Sequence, residues 1–266
     1  MKKLILEGIT LVVLFISTLL LLRQVDWVTV FKVEQTTKIA EEKLGELIWD
    51  SFRKTESENK NQAVHEALDG IVSRICDENN LNRSRIKLHI LNKNEINAFA
   101  LPDGHLVIYS GLISAADNPE ELSGVISHEL AHIGLNHVMK KLLKEVGLSV
   151  LISITTGNRA SENIKETAKL LSSTAFDRNL EKEADLKAVD YLMNSNINPV
   201  PFAHFLKRLS VEQGENPSFG WISTHPKSTE RADYVFKYSQ GKTGQYTRVL
   251  TKENWTSIKK GTETGL

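Results

Sequence analysis

His128-Glu129-Leu130-Ala131-His132 sets two imidazoles one helical turn apart with a carboxylate between them. Residues four apart on an α-helix differ by only about 40° around its axis, so both rings can reach one metal ion. Zinc favours imidazole nitrogen, and catalytic zinc sites keep one position for a water that the metal acidifies. Glu129 would remove that water's proton. The competing reading of so short a motif is a hydrogen-bonded histidine pair with no metal, and the flanking residues weigh against it. Asn118 reads as an N-cap, Pro119 as the first helical residue and Glu121 as the partner in a capping box. Leu122, Val125, Ile126, Leu130 and Ile133 then recur at helical spacing, which turns one face of the helix to a core.

A catalytic zinc needs a third protein ligand. His137 is not suited, because on a continued helix it stands about 140° from His132, and it reads as a cap or surface residue. Leu180-Glu181-Lys182-Glu183-Ala184-Asp185 offers three acids. With Glu181 at zero, Asp185 falls at about 40°, Ala188 at about 340° and Leu192 at about 20°, whereas Glu183 falls at about 200°. Glu183 therefore joins Lys187 and Asp190 on the solvated side. A carboxylate on a buried face must be paired or bound to metal, which selects Glu181 as the ligand over a plain surface acid. Asp185, one turn on, is placed to accept the second ring N–H of a ligating histidine.

Outward from these helices, Arg85 to Leu91 alternates as a half-buried strand, with Ile86, Leu88 and Ile90 opposite Lys87 and His89. Ala98-Phe99-Ala100-Leu101, Pro102-Asp103-Gly104 and His105 to Ser110 read as a hairpin, with Pro102 starting a type I turn and Gly104 at a left-handed position. Its edge, at Asn97, Ala98 and Phe99, is either structural or a place where an extended polypeptide adds through its main chain. Val64 to Glu78 and Thr36 to about Phe52 read as helices. His65, His89, His105 and His204 default to structural or solvated roles.

Lysine plus arginine equals aspartate plus glutamate at 33 each, so there is no basic footprint for nucleic acid. Cys76 is the sole cysteine, which excludes a disulfide framework and a thiolate zinc cluster. Nothing in the sequence specifies an oligomeric state. Met1-Lys2-Lys3 precedes an apolar run from Gly8 to Leu22 that closes with Arg23 and Trp27. No small-residue cleavage site follows it. An uncleaved, single-pass membrane anchor over 1–27 is expected, with Lys2 and Lys3 cytoplasmic and the remainder extracytoplasmic, periplasmic or equivalent. Secretion after cleavage at Leu22 is the alternative. A helical linker over 28–61, a catalytic domain over 62–240 and a C-terminal tail over 241–266 complete the organisation.

His128-Glu-Leu-Ala-His132 with Glu181-x-x-x-Asp185, Asn97-Ala98-Phe99, and His225-Pro226 with Arg231 six residues after the histidine together resemble the family-48 zinc metallopeptidases. That group of gluzincins includes the CAAX prenyl, HtpX-, BepA-, LoiP- and Oma-type proteases, and the single anchor is most similar to the Oma-like or BepA-like branch. Asp103 departs from the glycine frequent in the Oma-like branch. The resemblance implies an α+β fold, mainly helical and zincin-type, with a small mixed β-sheet and an edge hairpin, behind an N-terminal transmembrane helix. It implies one Zn2+ per chain on His128, His132 and Glu181, polypeptide substrates, and quality control of misfolded or unassembled membrane and envelope proteins. His225 is implied either as a fourth ligand blocking the open position or as an oxyanion stabiliser, and Arg231 as a residue near the site. A zinc-bound holdase with a plugged, weakly active site is the alternative function. Residues 138–176, between the two zinc-binding helices, are long enough for a helical lid over the cleft.

Overall fold

The computed structural model describes residues 33–147, 151, 160–212, 221, 225, 229–240 and 244–263. The expected anchor over 1–27 lies outside the described residues, as do 148–150 and 152–159 of the segment expected as a lid. No helix among the described residues is long and apolar enough to cross a membrane. The chain divides into two compact units, Met1–Glu41 and Glu42–Leu266. The first is described only from 33, where helix α1 (Val33–Thr55) begins.

A three-stranded mixed sheet lies at the centre of the second unit, which is otherwise mainly helical among the described residues, in keeping with the expected α+β class. Strand β3 (His105–Tyr109) runs between β1 (Lys87–Leu91), to which it is parallel, and β2 (Ala98–Leu101), to which it is antiparallel. All five β3 residues are buried. Leu106 and Ile108 join a cluster with Leu68, Val125 and Leu192, while Val107 and Tyr109 join another with Trp49, Phe52 and Phe99. A strand covered on both faces needs apolar residues on both, which is why His105 to Tyr109 reads as a run and not as an alternation.

The hairpin forms with Ala98 opposite Ile108 and Leu101 opposite His105. Its turn differs from expectation, because Asp103 (φ 60°) is left-handed as well as Gly104 (φ 71°). Aspartate tolerates that region better than most residues, so Asp103 can stand where glycine would be the easy choice. Gly104 has no substitute: a Cβ there would lie 2.0 Å from the Arg85 carbonyl oxygen.

Helix α2 (Gln62–Glu78) is capped by Asn61, and α3 (Ser110–Ala115) leads from β3 into α4 (Pro119–Gly134). The expected cap of α4 is present, with Asn118 Oδ1 accepting the Glu121 N–H at 2.9 Å. Glu121 reaches one residue further back than a capping box requires, accepting the Asp117 N–H at 2.9 Å, and its carboxylate also meets Arg208. Helix α5 is His137–Glu145, α6 Ala160–Ser173, α7 Arg178–Asn194, α8 Val200–Glu212 and α9 Thr229–Gln240. Helix α4 packs on α7, α8 and β2, and Gly124 lets Phe202 of α8 close in, since a Cβ there would stand 2.5 Å from the Phe202 Cβ. The segment expected as a tail carries α10 (Lys252–Glu263), which packs on α2 and α3 and buries Ile258. Likewise Leu44, Ile48, Trp49 and Phe52, from the stretch expected as a linker, are core residues.

Candidate metal centre

Helices α4 and α7 bring His128, His132 and Glu181 together, and His225 joins them, each with a ligand atom within 4.8 Å of the others. The phase argument holds on α7: Glu181 and Asp185 are buried, whereas the Glu183 side chain is 53% exposed. His128 Nε2 lies 3.0 Å from His132 Nε2, His132 Nε2 lies 3.4 Å from Glu181 Oε1, and His128 Nε2 lies 3.6 Å from Glu181 Oε2. His225 Nδ1 is 3.1 Å from His128 Nε2 and 2.9 Å from Glu181 Oε1. Two ligands with bonds of about 2.0–2.1 Å to a tetrahedral zinc stand about 3.3 Å apart, so the cluster has the size and the donor set for a metal. Four unconnected buried polar groups would otherwise be costly to gather here.

Each ligand is held from behind. Asp185 Oδ1 lies 2.9 Å from His128 Nδ1. The Asp185 carboxylate also accepts two bonds from Arg231, both 2.8 Å, and one from the Tyr234 hydroxyl. Arg231 Nη1 reaches Glu181 Oε2 at 2.9 Å. This buried arginine places a fixed positive charge between the Glu181 and Asp185 carboxylates. Burial alone would raise Asp185, but Arg231 and His128 hold it down at about 2. Glu181, opposed by burial in the same way, is held well below the usual carboxylate range by His225 and Arg231. Burial lowers His132 to about 4.

Glu129 is fully buried. Its Oε1 accepts the Trp221 indole N–H at 3.0 Å and lies 3.2 Å from His225 Nε2, while Oε2 has no hydrogen-bond partner among the described residues. Burial opposes its ionisation, yet His225 and His128 keep it below the ordinary value. Against the same opposing burial, Glu181 and Glu129 push His225 up to about 9. The Phe176 ring stacks on His132 at 4.1 Å between centroids and lies 5.8 Å from that of His225. Lys141 Nζ, over the same ring, donates to the Thr174 carbonyl.

One expectation changes. His137 is neither a cap nor a surface residue: it is fully buried and its Nδ1 meets His132 Nδ1 at 3.1 Å. The helix does not continue past Gly134, because Asn136 turns left-handed (φ 57°) and α5 starts anew, so the angle for an unbroken helix does not apply. Helix α6 packs on β2, the Trp221 N–H donates to the Ile96 carbonyl at 2.8 Å, and Asn97, Ala98 and Phe99 are buried. Phe99 packs on Phe52 and Tyr109, so its side chain belongs to the core, and only main chain here could meet a substrate. Sequence reasoning missed Trp221 and Phe176, for which spacing carries no signal.

A model described as "Peptidase family M48" matches residues 60–238. The metalloprotease LoiP of Escherichia coli is 29% identical over 165 residues, covering 59% of this chain and 64% of LoiP. The mitochondrial metalloendopeptidase OMA1 of Bos taurus is 26% identical over 166 residues (56% and 31%). The beta-barrel assembly-enhancing protease of Yersinia pestis is 25% identical over 174 residues (60% and 35%). The matched stretch spans less than two thirds of each of these relatives.

Proposed function

Because the chain belongs to peptidase family M48, we propose that it is a zinc-dependent metalloendopeptidase acting on misfolded or unassembled membrane and envelope proteins. The observation that carries the reading is the ligand group of His128, His132, Glu181 and His225 with the buried Glu129 carboxylate beside it. His128, His132 and Glu181 would hold the zinc, which when bound would supply a Lewis acid for a scissile carbonyl and for the attacking water. Glu129 takes the water's proton on its carboxylate and returns it to the leaving amine. Asp185 and His137 keep the two imidazoles facing inward, and Arg231 keeps Glu181 and Asp185 ionised. His225 Nδ1 lies among the candidate ligand atoms, where it would serve either as a fourth ligand that blocks the open position or as an oxyanion stabiliser. Substrate main chain then adds along the edge of β2.

The substrate class is supported by the relative whose name describes beta-barrel assembly, and by the apolar run from Gly8 to Leu22. On this reading the chain is anchored once and its catalytic unit is extracytoplasmic. Glu129→Gln tests the chemistry: cleavage of an unfolded test protein should fall by at least about 100-fold with zinc content unchanged. Unaltered turnover would sink the proposal. For the anchor, N-terminal sequencing of the membrane fraction should recover Met1 or Lys2, and a mature end after Leu22 in the soluble fraction would refute it.

A further inference from the structure

We propose that His137 and Glu183 form a positioning pair that fixes the ring tautomer and orientation of His132. The inference rests on His132 being a metal ligand through Nε2, as in the function proposed above. A ligating Nε2 carries no proton, so Nδ1 of His132 carries it and must donate. The atom facing that N–H is His137 Nδ1, at 3.1 Å. Once Nδ1 of His137 accepts, its own proton is on Nε2, and there the Glu183 Oε2 waits at 3.3 Å. The protons thus have one consistent direction, from His132 through His137 to a carboxylate.

Among the described residues, the surroundings leave little else to do this. His132 and His137 are fully buried, their rings meet edge to face with centroids 5.0 Å apart, and Phe176 stacks on His132. Water is therefore a poor substitute for His137 as acceptor. Glu183 sits two residues from Glu181 on α7, so one helix brings both the ligand carboxylate and the outer carboxylate. The break at Asn136 is what aims His137 back at His132. His132 gains the counterpart of what Asp185 gives His128, with a neutral ring interposed.

Zinc affinity of the full chain, measured by chelator competition, tests the pair alongside nitrogen-15 imidazole spectra of the metal-free protein. His137→Phe keeps an aromatic ring but no acceptor, and should weaken zinc binding about 10- to 100-fold and abolish the single Nδ1–H form of His132. His137→Asn restores an acceptor and should recover most of the affinity, whereas Glu183→Ala, at an exposed carboxylate, should give a smaller loss. The proposal is overturned if folded His137→Phe binds zinc within about twofold of the parent with His132 unchanged, far short of the usual outer-partner effect. Should that variant not fold, Glu183→Ala with parental affinity and spectrum overturns it, as does His137→Asn folding without any recovery. Affinity is read without substrate, so a chain that binds zinc normally yet cleaves nothing would refute the peptidase reading alone.

Discussion

His128 Nδ1 lies 2.9 Å from Asp185 Oδ1 in the seam between α4 and α7, with both side chains fully buried. A carboxylate so placed orients the imidazole, and Arg231 is paired with it so that its charge is not left alone. Asp185→Asn removes the charge and keeps the shape. A loss of about 3–5 kcal/mol in unfolding free energy is expected, since half of a buried ion pair remains. Zinc affinity should fall about 10- to 100-fold in the same variant. Urea unfolding with and without zinc checks both, and a change below about 1 kcal/mol would show that Asp185 is not structurally paired.

His225→Ala separates two roles for this histidine. If Nδ1 fills the fourth position at rest, its removal should raise turnover of an unfolded test protein at saturating zinc. A fall of roughly 100-fold or more would instead assign His225 to oxyanion stabilisation.

His89 and His105 give the fold an acid-sensitive element away from the metal centre. His89 stacks on Trp49 at 3.6 Å and bonds His105 at 2.9 Å. Burial pushes their pKa values down to about 3 and about 4. The unfolded chain binds these protons from about pH 6.5 downward and the folded chain does not, so stability is lost as pH falls through that window. His89→Gln should make the loss shallower by up to about 1.4 kcal/mol per pH unit between pH 6 and 4. Denaturant unfolding at pH 7, 6, 5 and 4 measures the slope, and an identical acid limb would contradict the assignment.

Gly124→Ala tests the packing behind the metal helix. The added Cβ would stand 2.5 Å from the Phe202 Cβ, so α4 and α8 must move apart. Destabilisation of about 1–3 kcal/mol is expected from such overpacking, read by thermal or urea unfolding, and a neutral result would mean the two helices have room to yield.

Local rules reached far where one element decided the answer. The caps of α4, the shared face of Glu181 and Asp185, and the hairpin pairing of β2 with β3 were legible because each depends on helical phase, strand alternation or a turn residue nearby in the chain. They failed where an element ended unexpectedly. Leu135 and Asn136 carry no proline to announce the break, so a continuing helix put His137 on the wrong face.

By itself, then, the sequence placed His128 and His132 on one face of α4 and Glu181 and Asp185 on one buried face of α7, because periodicity within a helix dictates which side chains share a face. Tertiary structure alone decided that Trp221 bonds Glu129, that Phe176 covers His132, that His225 joins the candidate ligand group and that α6 packs on β2. Those contacts join residues far apart in the chain, and they arise from how helices and sheet pack, which no local spacing encodes.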